Sequence, residues 1–210
     1  MLVYDPSEVI SSKCINDGGQ RLPNDRSEPT NLDVLHEKGY KTAEVLAHDF
    51  GPDEDKPDYS VLKGDLTDAY SSKVKDFKRS FVFLNRKQKN IPAVMIVYDT
   101  VTSSNKEFKK YWLLHSTAKP KLEGNTITIN RTDNGYSGKL VNTALLPKTV
   151  NTEVVEGFDV FGETYDTAPK AGADRADEGY SFRVQISPSQ AAETDRFLNV
   201  MQIMDGEAVP

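Results

Sequence analysis

Apolar and polar residues alternate with a period of two along much of this chain. Tyr180–Ser187 and Asn125–Arg131 each place an apolar residue at every second position. Such alternation is typical of antiparallel strands with one buried face. Phe81–Leu84 and Ala93–Val97 are apolar on both faces, which predicts central strands, and the polar stretch Asn85–Pro92 between them predicts a hairpin loop.

The same pattern predicts further strands at Leu2–Tyr4, Glu44–Phe50, Tyr59–Leu66, Tyr111–Ser116, Gly138–Leu146, Glu153–Gly157, Asp159–Glu163 and Thr194–Met204. About a dozen strands separated by turn residues predict an all-β fold, a large two-sheet antiparallel β-sandwich formed by residues 1–210 as a single domain. Asn31–Lys38 is the best short helix candidate. The polar segments Ile10–Lys41 and Asp166–Gly179 are expected to be long loops.

Charge is distributed unevenly along the chain. The net charge is −6, yet residues 61–124 hold 13 basic and six acidic side chains, while both flanking segments are acidic. A basic middle in an acidic protein indicates a local anionic partner. The alternative is that the lysines protect exposed strand edges from pairing with other chains. Both interpretations stay open at this stage.

The densest basic cluster consists of Lys73, Lys75, Lys78 and Arg79. Arg forks and Lys ammonium groups suit sulfate and carboxylate, so these four residues are the predicted polysaccharide-binding residues. Nucleic acid would require aromatic platforms or a reading helix beside the same charges, and neither is evident. The expected partner is therefore an acidic polysaccharide, with no nucleic acid.

The sequence offers no convincing metal or cofactor motif. The acidic run Asp49–Asp58 lacks the ligand spacing of a calcium loop and is expected to be a solvated loop. His36 and His48 have no recognised ligand spacing. Gly18 in the Asp17–Arg21 turn is expected to supply a positive φ rather than to bind phosphate. No metal and no cofactor are predicted.

Candidates for nucleophilic or acid–base catalysis are equally few. Cys14 stands alone, which excludes an intrachain disulfide, and no nucleophile motif is present. His115 alternates with Leu113 and Tyr111, which favours a core-facing histidine over a general base. Tyr70 would be the candidate if a site existed here. No catalytic residue is predicted.

The sequence also bears on location. The longest apolar run, Ala93–Tyr98, is far too short to cross a bilayer, so no membrane partner is expected. No signal peptide is visible. A predicted strand follows Met1 directly, which indicates a domain excised from a longer protein, with any export signal lost from it.

Several segments, taken in order, resemble the heparinase II/III-like polysaccharide lyases, and the heparinase II branch in particular. They cover nearly the whole chain, and the set is Leu2–Pro6, Asn16–Arg21, Tyr59–Tyr70, Arg79–Leu84, Val97–Val101, Trp112–His115, Leu145–Pro147 and Phe197–Val200. The resemblance implies a β-sandwich that follows an α-helical toroid domain in a secreted or periplasmic bacterial enzyme.

Enzymes of this family cleave uronate-containing polysaccharides such as glycosaminoglycans by β-elimination. A neutralised carboxylate acidifies the C5 proton, a Tyr or His removes it, and an acid protonates the departing oxygen. None of the family's catalytic or zinc-ligand motifs maps onto this sequence, so no such role is carried over to His36, His48 or His115. The expectation is a domain that lacks its toroid, is inactive alone, and supports or contacts the glycan. The alternatives are a free-standing carbohydrate-binding module and a purely structural sandwich.

Overall fold

The computed structural model describes residues 1–9, 16–21, 31–35, 40–132, 135, 137–156, 158–160, 163–165 and 182–207. Its strands are β1 (Leu2–Tyr4), β2 (Glu44–Gly51), β3 (Tyr59–Asp65), β4 (Val74–Asn85), β5 (Ala93–Ser103), β6 (Lys109–Ser116), β7 (Lys121–Glu123), β8 (Thr126–Arg131), β9 (Gly138–Leu146), β10 (Val150–Glu156), β11 (Phe158–Val160), β12 (Glu163–Tyr165), β13 (Phe182–Pro188) and β14 (Thr194–Asp205). One helical turn, α1, spans Leu32–Leu35, and a 3-10 turn spans Thr67–Ala69.

Two antiparallel sheets form a sandwich, which confirms the predicted fold class. The larger sheet has the strand order β2-β3-β4-β5-β14-β9-β8-β7, and the smaller has the order β1-β6-β13-β10. The hairpin β11-β12 pairs separately. The four-stranded sheet is half as wide as its partner, so it cannot cover the whole of the larger sheet.

The core lies between the sheets, where alternation directs large apolar side chains inward. Phe77 of β4 and Phe197 of β14 are buried on the larger sheet, and Trp112, Val184 and Ile186 are buried on the smaller one. Burying each such side chain contributes about 1.5–3 kcal/mol to the free energy of folding. The face that carries Phe77 and Phe197 is called the inner face of the eight-stranded sheet below.

Two sequence predictions are wrong in detail. Asp159–Glu163 is not one strand, because the chain reverses between Val160 and Glu163, which pair with each other. His115 does not face the core: Trp112 is buried and Leu114 packs against the core, so the intervening His115 lies on the opposite, outward face. The bulky Trp112 decides which face of β6 is buried.

The ends of other elements also differ from their predictions. The strand predicted at Phe81–Leu84 begins seven residues earlier, at Val74, and the short strand β7 was not predicted. The hairpin loop between β4 and β5 is confirmed. Asn31 begins α1 by accepting a hydrogen bond from Val34 N at 3.0 Å. Most of the two expected long loops, with Cys14 and His36, lies outside the described residues.

Gly18 confirms one expectation about a turn. Its φ is +74°, and a Cβ at this position would lie 3.1 Å from the carbonyl oxygen of Val3. Glycine is therefore required both by the backbone conformation and by the close approach of β1. In the described part of the chain, no helix is long and apolar enough to cross a membrane.

Candidate functional site

Arg79, one of the four predicted glycan-binding cations, points into the sandwich. It lies in β4 between Phe77 and Phe81, and its guanidinium carbon is 5.5 and 5.6 Å from the centres of those two rings. Its Nε and Nη2 donate to the two carboxylate oxygens of Asp99 at 2.7 and 2.6 Å. Asp99 is completely buried. Arg79 is thus half of a bidentate ion pair at the edge of the core.

Lys73 is also held inside the protein. Its side chain is 1% exposed, and its ammonium donates to Glu8 Oε2 at 2.6 Å and to the Gly19 carbonyl at 3.2 Å. Burial lowers the pKa of Lys73, and the hydrogen bond that its ammonium donates to Glu8 opposes that shift. Ser71 donates to the other Glu8 oxygen at 2.5 Å. Lys73 therefore ties the N-terminal segment to the start of β4.

The remaining two predicted cations are more exposed. Lys75 is 54% exposed and lies 3.9 Å from Glu193. Lys78 contacts Asp76, and its ammonium is 3.6 Å from Asp65. The four cations therefore do not form one patch, because β4 alternation and the Glu8 contact direct them to different environments. That they bind a polysaccharide stays a prediction, and Lys75 and Lys78 are its exposed members.

Tyr70 is held by the fold in its protonated form. It is buried, its hydroxyl donates to the carbonyl oxygen of Met1 at 2.8 Å, and burial raises the pKa of its phenol. A phenol with a raised pKa is a hydrogen-bond donor rather than a base near neutral pH. The geometry of Tyr70 thus suits a structural role.

The acidic run Asp49–Asp58 makes local loop contacts. Asp53 Oδ1 accepts the backbone N–H groups of Asp55 at 2.9 Å and Lys56 at 3.1 Å. His48 lies exposed on β2. Within the described ranges, no group of three or more His, Cys, Asp or Glu side chains is arranged to hold a metal ion.

The inner face of the eight-stranded sheet continues past the smaller sheet and is mostly apolar there. Register places Phe50, Ser60 and Phe83 in one row across β2, β3 and β4, and Leu62 next to Phe81 in the adjacent row. The uncovered face includes Val45, Phe50, Leu62 and Phe83, whose exposed fractions are 61%, 47%, 44% and 38%. The exposed His48 pairs with Leu62 and belongs to the same face. Contiguous exposed apolar side chains of this kind mark interaction surfaces.

A groove runs over the outward face of the four-stranded sheet. Two cavities, of about 680 and 430 Å³, share Tyr111 and Glu153 in their walls. Register places Gln185 between Leu113 and Glu153, and Arg183 between His115 and Val155. The residues that define the groove are Lys109, Tyr111, Asn151, Glu153, Arg183 and Gln185.

The floor of the groove is polar and ordered. Arg183 and Gln185 are 8% and 7% exposed although they lie on the outward face. With the Gln185 amide turned so that its oxygen faces the guanidinium, that oxygen accepts from Arg183 Nε at 3.0 Å and from its terminal nitrogen at 2.7 Å. Burial and the neighbouring Arg183 lower the pKa of His115, so the imidazole stays neutral near pH 7.

Sequence reasoning did not find the groove, because its residues come from three strands far apart in the chain. The available signal was parity: alternation in Tyr180–Ser187 places Arg183 and Gln185 on the outward face. Alternation predicts which face of the sheet Arg183 and Gln185 lie on, but it does not predict which strands lie beside theirs. The pairing of β13 with β6 and β10 is what brings the groove residues together.

The solved structures that match this chain include two of heparinase III. No protein-family model matches the chain. No curated protein matches it. A crystal structure of heparinase III aligns with a TM-score of 0.47 and 12% identity, over 79% of this chain and 22% of that one. A heparinase III with methylated lysines aligns with a TM-score of 0.44 and 12% identity, over 83% of this chain and 23% of that one. The chain thus spans less than a quarter of either heparinase III, and likeness at this level carries no argument about activity.

Proposed function

We propose that this chain is the β-sandwich domain of a heparinase II/III-like polysaccharide lyase, with the heparinase II branch favoured by the ordered sequence segments. In this role the domain supports the enzyme and contacts an acidic polysaccharide of the glycosaminoglycan type. The acid and base that carry out β-elimination belong to an α-toroid partner domain. A secreted or periplasmic location goes with the same proposal.

The observation that carries the proposal is the uncovered face. The exposed side chains Val45, Phe50, Leu62 and Phe83 continue the inner face of the larger sheet where the smaller sheet ends. An isolated sandwich gains nothing from leaving this apolar area in water, whereas packing it against another domain would contribute roughly 25 cal/mol per Å². The partner that the sequence resemblance supplies for this face is the toroid.

The composition of the uncovered face separates this proposal from the free-standing binding module. A carbohydrate-binding module is expected to expose a coplanar strip of aromatic side chains on one sheet face. Here Phe50 and Phe83 are mixed with the aliphatic Val45 and Leu62, and the small Ser60 lies between the two rings. This mixture favours a protein partner over a sugar ring.

The contacts of Tyr70 and of the Arg79–Asp99 ion pair are consistent with a domain that does not itself supply the acid and the base. Tyr70, Arg79 and Asp99 are committed to internal contacts, so we assign them no step in β-elimination. A domain without its toroid would lose both the positioning of the substrate and the base. Each of these contributes several kcal/mol to catalysis, so we expect the chain alone to be inactive.

Heparin chromatography tests the glycan contact at its two more exposed residues, Lys75 and Lys78. We expect the Lys75→Ala/Lys78→Ala double variant to bind heparin about 5- to 10-fold more weakly than the wild type, since each exposed charge contact contributes up to about 1 kcal/mol. The control is Lys119→Ala/Lys121→Ala, which removes two lysines that are even more exposed and lie elsewhere on the surface. Equal elution salt for all three proteins would show that Lys75 and Lys78 do not contact the glycan.

A further inference from the structure

We propose that the groove on the outward face of the four-stranded sheet is a second saccharide-binding site, which takes a chain containing acidic sugars. It lies on the smaller sheet, whereas Lys75 and Lys78 lie on β4 of the larger sheet. The inference does not depend on lyase parentage, because it rests on the groove alone.

The first support is shape. Cavities of about 680 and 430 Å³ lie end to end, with Tyr111 and Glu153 lining both. Ligand sites typically measure about 300–1,000 Å³, so each part of the groove is large enough for a small ligand. Two such parts in line suit an elongated ligand. A linear oligosaccharide has this form.

The second support is the chemistry of the floor and walls. Arg183 and Gln185 present planar polar groups whose positions are fixed by burial and by their mutual contact. Asn151 and Glu153 add an amide and a carboxylate from β10. Paired donors and acceptors held in place can bind neighbouring sugar hydroxyls with little loss of side-chain entropy. Tyr111 supplies an aromatic face with a polar hydroxyl, the combination that suits a sugar ring.

The third support is charge. Lys106 and Lys109 line the larger cavity, and so does Glu107, whose carboxylate lies 3.8 Å from the Lys106 ammonium. Lys109 forms no ion pair among the described residues, whereas the buried Lys110 is neutralised by Asp195 at 2.9 Å. An exposed ammonium at one end of a polar groove favours a carboxylate or sulfate on the sugar. Glu153 nearby disfavours a continuous run of acidic groups and suits a hydroxyl donor.

Backbone-amide NMR of the full chain, titrated with three hexasaccharides, tests the inference. The probes are a galacturonate hexamer with carboxylates only, a heparin hexamer with sulfates as well, and neutral maltohexaose. We expect an acidic hexamer to shift resonances of β6, β10 and β13, and maltohexaose to bind at least 10-fold more weakly. The two acidic probes decide between carboxylate and sulfate as the preferred group.

Variants give the second readout. We expect Lys109→Ala to weaken binding of the preferred hexamer about 5-fold and Tyr111→Ala about 10-fold, with Tyr111→Phe retaining most of the affinity because it keeps the ring. Lys109 is exposed, so its variant keeps the inference testable if Tyr111→Ala fails to fold. Lys75→Ala/Lys78→Ala is the control and should leave the shifts in β6, β10 and β13 unchanged.

Two outcomes would overturn the inference. Chemical-shift changes confined to the strands around Lys75 and Lys78 would show that the groove does not bind the saccharide, and the proposed glycan contact of those two lysines would still hold. Equal shifts with maltohexaose and both acidic hexamers would remove the acidic-sugar specificity.

Discussion

Asp99→Ala is expected to lower the free energy of unfolding by about 3–5 kcal/mol. Asp99 is completely buried, and both of its oxygens accept hydrogen bonds from Arg79. Removing the carboxylate leaves a guanidinium between Phe77 and Phe81 without its counter-charge, and desolvation of an unpaired charge is costly. Urea denaturation followed by the fluorescence of Trp112, the only tryptophan, measures the loss.

Two further variants make this prediction specific. Asp76→Ala removes a part-exposed carboxylate on β4, the strand of Arg79, and should cost less than about 1 kcal/mol. The double variant Arg79→Leu/Asp99→Leu removes both charges and should recover much of the lost stability. A loss for Asp99→Ala as small as that for Asp76→Ala would contradict the structural role of the pair.

Glu8→Ala is expected to lower the free energy of unfolding by about 3 kcal/mol, the second largest effect. Glu8 is the counter-charge of the buried Lys73, and it also accepts from Ser71. Without Glu8, the contacts left to the Lys73 ammonium among the described residues are the Gly19 carbonyl and the Tyr70 ring. The same urea experiment measures the change.

The matched control for Glu8 is Glu193, which is the partner of the exposed Lys75 at 3.9 Å. Glu193→Ala should change stability by less than about 1 kcal/mol, since exposed pairs contribute little. Lys73 and Lys75 lie two positions apart in the sequence but differ in burial, so the comparison measures the effect of burial on the value of the ion pair. If Glu8→Ala proved as mild as Glu193→Ala, Lys73 would again be a candidate for contact with a ligand.

Much of the sandwich could be predicted from period-two alternation alone. Ile127, Val184 and Ile186 are all buried as their patterns predict. The polar segment before Ala93 correctly predicts a hairpin loop. These features are local, because a strand and its buried face depend on neighbours two residues apart.

The basic cluster shows what alternation does not predict. Arg79 falls on the inner face because it lies two positions from Phe77 and two from Phe81, and the sequence near it gives no sign of Asp99, which lies 20 residues away. Lys73 finds its partner Glu8 65 residues away. Pairing between distant residues is set by sheet register, which a single sequence leaves open.

His115 illustrates the remaining difficulty in β6. Both faces of β6 carry large side chains, so the sequence Tyr111–His115 is compatible with either face being buried. Packing of Trp112 between the sheets decides the matter. The same decision places Tyr111 outward and so creates one wall of the groove.

The most direct test of the central claim, that this chain contacts an acidic polysaccharide without cutting it, is an ultraviolet absorbance assay. The purified full chain is incubated with heparin and with polygalacturonate, and the absorbance of unsaturated uronate is followed, with a complete lyase as the positive control. We predict no rise above that of the substrate alone, because our proposal assigns the base and the toroid wall of the cleft to a partner domain. A steady rise proportional to protein concentration would contradict the claim and place a complete active site within these 210 residues.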